Sequence, residues 1–294
     1  MDKEILGIIL MFTLAVGIAL PLGRYISKIY GNEKTWLDKL LNPVDQLFYK
    51  ISGIDPGKEM TWKQHLTALL TINLVWFLAA MFVLTNMSWL PMNPDNNPSM
   101  SGDLAFNTAV SFVTNTNLQH YSGETGMSYL GQLTLMLWQF ISAGCGIAIA
   151  AVVFFAMKER TTDKLGNFYF FFVRSCTRIL FPIAVVVASL LAFNGTPMTF
   201  EGKDSIINLQ GDKVEVSRGP VAAFVAIKHL GTNGGGFFGP NSAHPLENPN
   251  YFTNIVEIVT QMLIPLAMIF AMGFIIKRRK ISWTIFGVMT IGFL

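Results

Sequence analysis

Two apolar runs in this chain are too short to cross a membrane, and each ends in a loop rich in glycine or asparagine. The first, residues 106–113 (FNTAVSFV), leads into Thr114, Asn115, Thr116 and Asn117. The second, residues 224–230 (FVAIKHL), leads into Gly231, Thr232, Asn233, Gly234, Gly235 and Gly236. Both runs lie between apolar blocks of full spanning length. Irregular backbone at membrane depth is tolerated only where protein buries it or where it lines a watery path. A half-helix ending in a carbonyl-rich loop is how an ion-selectivity filter is built, so ion permeation is the leading expectation.

The flanking blocks are residues 5–22, 66–84, 130–157, 169–193 and 255–276. A sixth, 281–294, has only 14 residues, short of the ~20 a spanning helix needs. The sequence is therefore expected to stop inside a helix. Charged residues make up 13% of the chain, about half the share in soluble domains. Their placement predicts orientation. Residues 24–63 carry Arg24, Lys28, Lys34, Lys39, Lys50, Lys58 and Lys63, whereas 86–128 have no Lys or Arg but hold Asp95, Asp103 and Glu124. Lys158, Arg160, Lys164, Arg174 and Arg178 follow the third block, and Lys277, Arg278, Arg279 and Lys280 follow the fifth. Residues 194–219 are mixed. This alternation predicts an extracytoplasmic N-terminus, basic loops in the cytoplasm and both half-helices entered from outside. The net charge of +3 then reports topology, and no basic face for nucleic acid is present. The first block reads as a retained helix, because Asp2 and Glu4 accompany Lys3 where a signal peptide needs a positive end. Cys145 and Cys176 fall in or beside apolar blocks and read as packing residues, with no disulfide framework.

The two loops also form an internal repeat. Setting Thr114-Asn115 on Thr232-Asn233 gives an offset of about 118 residues and brings Phe106 onto Phe224. The chain divides into an extra N-terminal helix (1–23), a cytoplasmic connector (24–63), a first helix–pore loop–helix unit (64–158), a short cytoplasmic loop (159–168), a second unit (169–277) and the start of a third (278–294). The fold class is an all-α polytopic membrane protein. Ser101 or Asp103 can cap the first half-helix, and Pro220 suits the start of the second. With about 11–12 residues each, they are roughly 17 Å long, half the hydrocarbon thickness. Their C-terminal ends carry a partial negative charge that favours a cation. The loops offer hydroxyls, amides and glycine-freed carbonyls, which are neutral oxygens suited to a weakly hydrated monovalent cation. Ca²⁺ or Mg²⁺ would recruit carboxylates. Gln119, just past the first loop, either binds water at the vestibule or takes part in selection.

Other chemistry is sparse. His65, His120, His229 and His244 have no metal-ligand spacing and read as lone interfacial residues. There is no Gly-x-x-x-x-Gly-Lys-Ser/Thr phosphate loop, no Gly-x-Ser-x-Gly elbow and no Asp-Lys-Thr-Gly-Thr phosphorylation sequence. Any ATP chemistry thus belongs to another chain, and this one is expected not to be an enzyme. Lys228, on the second short helix, is costly in a membrane; it is functional, snorkels to a watery cavity or pairs with a carboxylate. Glu257 reads as interfacial.

Residues 114–124 (TNTNLQHYSGE) and 229–249 (HLGTNGGGFFGPNSAHPLENP) resemble the potassium-binding A subunits of bacterial Kdp potassium-transporting ATPases. The resemblance extends from the first helix to the last residue. It implies a fold of four helix–pore loop–helix units around one pore, in the potassium-transporter superfamily. By position it implies that Thr114, Asn115, Thr116 and Asn117 form one filter strand and Gly231, Thr232, Asn233, Gly234 and Gly235 a second. Gln119 matches a position tied to K⁺ affinity. The implied cargo is potassium ion, bound at these residues from outside a bacterial inner membrane. The implied partners are a P-type ATPase B subunit, small C and F subunits and membrane lipids. Because the family has four filter units, a chain with two and part of a third is expected to be an N-terminal fragment or a truncated product. A stand-alone channel or symporter of the same superfamily is the alternative, and a non-transporting assembly subunit is another.

Overall fold

The computed structural model describes residues 3–159 and 161–293. Asp2, Arg160 and Leu294, to which the charge and sixth-block readings extend, lie outside the described residues. The chain is almost wholly helical: α1 (Lys3–Tyr30), α2 (Asp38–Ser52), α3 (Trp62–Asn86), α4 (Gly102–Val113), α5 (Gly123–Gly126), α6 (Tyr129–Lys158), α7 (Phe168–Arg174), a π-helical turn (Ser175–Leu180), α8 (Phe181–Phe193), α9 (Val221–Leu230), α10 (Tyr251–Ile275) and α11 (Arg279–Phe293). Among the described residues two strands, β1 (Asp204–Ile207) and β2 (Lys213–Val216), pair antiparallel with Asp204 opposite Val216.

Five stretches among the described residues are long and apolar enough to cross a membrane: α1, α3, α6, the continuous α7–α8 and α10. They match the five full-length blocks of the sequence. A helix is the form that satisfies every backbone group within such a block. α11 has 15 residues, in line with the short sixth block.

Two compact units share these helices. One comprises residues 1–72, 143–183 and 258–294. Here α1 meets α10 at Gly23, where a Cβ would lie 2.6 Å from the Ala267 carbonyl oxygen. α10 and α11 are tied by the Ser282 hydroxyl, which donates to the Ile269 carbonyl at 2.8 Å. The connector holds α2, a helix the charge pattern alone did not reveal. It ends at Gly53 in the left-handed conformation (φ 64°), a usual helix stop. One face of α2 exposes Leu40, Val44, Leu47, Phe48 and Ile51 at helical spacing, and the other buries Leu41, Asp45 and Tyr49. The buried face docks on the π-helical turn through Arg178. Its guanidinium donates to Asp45 at 2.6 and 2.8 Å, to Asp38 at 2.5 Å and to Asn42 at 2.5 Å. Partial burial works against ionisation of Asp38, but hydrogen bonds from Thr35 and Arg178 outweigh it and hold the carboxyl below its ordinary value.

The other unit comprises residues 73–142 and 184–257 and contains both short helices and both loops. Aromatic rings stand among the aliphatic side chains of its core. Phe112, Phe224 and Phe237 are fully buried, and Phe237 meets Phe224 edge-on at 6.2 Å. Trp138 packs edge-on against Trp76 at 5.1 Å and donates its indole N–H to the Trp76 carbonyl at 2.8 Å. The mixed segment 194–219 folds as the β1–β2 hairpin. Arg218 at its base pairs with Glu201 at 2.9 Å and Asp204 at 2.7 Å.

Candidate functional site

The two short helices end in the same geometry. The C-cap of α4 is Thr114 (φ −85°, ψ 5°) and that of α9 is Gly231 (φ −81°, ψ 0°). The N–H of Thr114 donates to Val110, that of Asn115 to Phe112 and that of Thr116 to Ser111. In the second loop Gly231 donates to Ile227, Thr232 to His229 and Asn233 to Lys228. The two patterns superpose at an offset of 117, the same separation as between Gln119 and Gly236. The repeated Thr-Asn letters had suggested about 118. Backbone geometry therefore pairs Asn115 with Thr232 and Asn117 with Gly234. α9 is also shorter than expected, at 10 residues against 12 for α4, because Pro220 stands at the N-cap and not inside the helix. Ser101 holds the N-cap position of α4, but its hydroxyl makes no capping bond. Hydrogen bonds from the Ser101 hydroxyl and from the N–H groups of Asp103 and Leu104 hold the Asp103 carboxyl below its ordinary value.

Glycine plays a different part from the one the letters suggest. The left-handed positions are Asn115 (φ 62°), Asn117 (φ 54°) and Thr232 (φ 53°), and none of Gly231, Gly234 and Gly235 has positive φ. Asparagine tolerates this conformation, but for a β-branched threonine it is a strained outlier of the kind that clusters at functional sites. Gly235 permits close approach instead. A Cβ on Gly235 would stand 2.9 Å from both the Asn117 carbonyl oxygen and Phe112 Cζ.

The loops are braced against each other. Asn115 Nδ2 donates to the Gly231 carbonyl at 3.2 Å, and Asn115 Oδ1 accepts from Asn233 Nδ2 and, at 2.8 Å, from the Ser142 hydroxyl. Gln119 Oε1 accepts from the Gly236 N–H at 3.0 Å, so Gln119 is a strut between the loops. Two glutamines of α6 hold the second loop from behind. Gln139 donates to the Gly235 carbonyl and Gln132 to the Phe237 carbonyl, both at 2.8 Å. The Thr114 and Thr116 hydroxyls lie 3.0 Å apart. Within the strands Thr114–Asn117 and Gly231–Gly235, the Gly231, Gly234 and Gly235 carbonyls accept hydrogen bonds, and those of Thr114–Asn117, Thr232 and Asn233 accept none from the described residues. Asn117 is 2% exposed, yet neither amide atom has a partner among the described residues. Buried polar atoms left this way call for a ligand, water or ion. Neither loop contains an Asp or Glu, and no group of three or more His, Cys, Asp or Glu suited to a metal occurs among the described residues. Neutral oxygens at the negative ends of two helices suit a monovalent cation.

Sequence reasoning misplaced the charges behind the second loop. His229 and Glu257 are not lone interfacial groups: His229 Nε2 lies 2.9 Å from Glu257 Oε2 and 3.0 Å from the Ser242 hydroxyl, and both residues are buried. The pattern hid this because 28 residues separate them and each sits at a block edge. Lys228 pairs with a carboxylate, one of the roles open to it: its ammonium lies 2.6 Å from Glu247. His244 stacks on Phe238 at 3.9 Å between ring centroids, His65 is buried and His120 is exposed. Cys145 and Cys176 are free thiols.

The family description "Potassium-transporting ATPase A subunit" matches residues 9–294. A relative from Flavobacterium psychrophilum, named potassium-transporting ATPase potassium-binding subunit, is 65% identical over 294 residues, all of this chain and 51% of its own length. Relatives of the same name come from Bacteroides thetaiotaomicron (51% identical, 100% of this chain, 52% of the relative) and Caldanaerobacter subterraneus (42% identical, 92% and 48%). The chain spans about half the length of the curated relatives it matches. With this coverage, and with two half-helices ending in mutually braced, carboxylate-free loops, the chain belongs to the KdpA family, the A subunits of potassium-transporting ATPases.

Proposed function

We propose that this chain supplies two walls of a potassium-binding filter and that the whole protein passes K⁺ to the P-type ATPase B subunit of a complex completed by small C and F subunits. In this reading the potassium-binding protein itself is not an enzyme. Residues 64–158 and 169–277 are two of four helix–pore loop–helix units in a bacterial inner membrane. The N-terminus is extracytoplasmic, and α4 and α9 enter from outside. The observation that carries the reading is the pair of equivalent helix ends, whose free carbonyls belong to Thr114–Asn117 and to Thr232 and Asn233. These oxygens replace part of the ion's hydration shell, and the helix ends favour its charge. Gly235 packs closely against the first strand, Gly231 and Gly234 contribute carbonyls that accept framework hydrogen bonds, and Gln119 fixes the spacing between strands. Family membership favours a pump component over a stand-alone channel or symporter, and the strained filter loops favour transport over a passive assembly role.

Growth of a potassium-uptake-deficient strain at low external K⁺, complemented with the full-length gene, tests this. A Cβ at Gly234 has no atom within 4 Å, so Gly234→Asp adds charge with little steric cost. A fixed carboxylate among neutral oxygens favours more strongly hydrated cations, and rescue is expected to be lost. Rescue equal to wild type would remove these loops from the ion path.

A further inference from the structure

We infer that the buried Lys228–Glu247 pair is a clasp that fixes the second filter strand and, through it, sets which size of cation the filter accepts. The inference rests on the filter reading above. Glu247 is fully buried and uses both carboxylate oxygens: Oε2 lies 2.6 Å from Lys228 Nζ, and Oε1 accepts the Phe238 N–H at 2.8 Å. Lys228 precedes Gly231 by three residues and Phe238 follows Gly235 by three. One side chain thus ties the chain on both sides of the strand and closes it into a loop.

Further contacts fit this role. A Cβ on Gly236 would stand 2.6 and 2.7 Å from the Glu247 carboxylate oxygens, so the strand lies directly against the clasp. The Ser242 hydroxyl contacts both Lys228 Nζ and His229 Nε2. Glu247 is itself held, its N–H donating to the His244 carbonyl at 2.9 Å and its carbonyl accepting from the Thr196 hydroxyl at 3.3 Å.

A buried ion pair is weak evidence for stability, because well-packed apolar residues often do as well or better. No apolar residue, however, could accept from both the lysine and the Phe238 N–H. The ammonium also sits at the base of a cation filter, where unpaired it would repel the cargo. The strands depend on each other unequally: Asn115 and Gln119 of the first loop bond to Gly231, Asn233 and Gly236 of the second. The first loop is closed by uncharged bonds, the Ser111 hydroxyl donating to the Leu118 carbonyl at 3.3 Å, whereas the second is closed by a buried ion pair, and the bonds between the loops pass a shift of that pair on to the first strand. Lys228 and Glu247 are positioning residues that touch no ion.

The test uses the full-length protein in its assembled complex, with K⁺- and Rb⁺-stimulated ATP hydrolysis read per assembled complex. Glu247→Asp is read first, since it keeps the charge and withdraws the carboxylate by one methylene. Its ratio of half-saturating Rb⁺ to K⁺ is expected to move at least threefold toward one. Glu247→Gln leaves the ammonium unpaired and is expected to raise half-saturating K⁺ at least tenfold. Lys228→Met/Glu247→Gln removes both charges, recovering part of that affinity while discrimination stays relaxed. Lys228→Arg keeps the clasp and wild-type discrimination. Wild-type Rb⁺/K⁺ ratios in Glu247→Asp and in the double variant would overturn the clasp, as would changes only in the amount of complex. A wild-type complex with no response to K⁺ would instead sink the filter reading.

Discussion

Replacing Gly235 by alanine in the full-length protein is expected to raise the half-saturating K⁺ concentration at least tenfold, about 1.4 kcal/mol, while Gly234→Ala changes it less than twofold. The contrast isolates geometry. Neither glycine has positive φ, so alanine strains the backbone at neither site. At Gly234 a Cβ meets no atom within 4 Å; at Gly235 it lies 2.9 Å from the Asn117 carbonyl oxygen, 2.9 Å from Phe112 Cζ and 3.4 Å from Asn117 Cβ. Phe112 is fully buried and cannot swing into open space. Added bulk in a packed site costs about 1–3 kcal/mol, and here the displaced group is a carbonyl assigned to the ion. The strands would move apart, and Asn115 and Gln119 would lengthen their bonds to the second loop. Equal affinities for the two variants, measured as K⁺-stimulated ATP hydrolysis of the purified complex, would show that this spacing does not matter to binding.

A second large effect is expected far from the filter. Arg178→Met should destabilise the protein by about 3–5 kcal/mol, the cost of leaving a buried charge without its partner. The Arg178 side chain is 1% exposed and holds Asp45, Asp38 and Asn42 together. Without it, the 2%-exposed Asp45 keeps the Thr177 hydroxyl at 2.7 Å and the Arg174 guanidinium at 3.9 Å. Arg174 is partly committed elsewhere: it donates to the Ile29 carbonyl at 2.8 Å and stacks over Phe170 at 4.2 Å, and its Nε stops short of hydrogen-bond distance to Asp45. Whole-protein stabilities run about 5–15 kcal/mol, so the loss removes a large part of the margin, and both the melting temperature and the yield from detergent extracts should fall. Arg178→Lys should recover only part, because an ammonium cannot span three acceptors as a planar guanidinium does. A melting temperature and yield equal to wild type for Arg178→Met would mean that α2 is held by other contacts.

Legibility followed the range of the interactions. Hydropathy and charge alternation located the five spans, since a long apolar block in lipid has the helix as its ready solution. The two short helices and their loops were also visible, because their length and composition are local properties. α2 was not, although its exposed stripe of Leu40, Val44, Leu47, Phe48 and Ile51 has helical spacing. Its buried face sets a carboxylate, Asp45, between Leu41 and Tyr49, and the partner of Asp45 is Arg178, far along the chain. The π-helical turn that carries Arg178 leaves no mark in a run such as residues 175–180 (SCTRIL). Within the site, letters identified the loops but misjudged details fixed by tertiary contact. The left-handed residue of the second loop is Thr232, Gly235 serves proximity, and Gln119 braces the strands. Glu247, the carboxylate that reaches Lys228, lies within the motif of residues 229–249, but only the fold brings its two oxygens to Lys228 and Phe238.

The central claim is that the two loops coordinate one monovalent cation between them. Thallium substitutes for potassium and scatters anomalously, so diffraction from crystals of the full complex in Tl⁺ tests it most directly. An anomalous peak is expected in contact with carbonyl oxygens of both Thr114–Asn117 and Thr232–Asn233. Tl⁺ bound elsewhere in the protein, with these carbonyls touching only water, would contradict it.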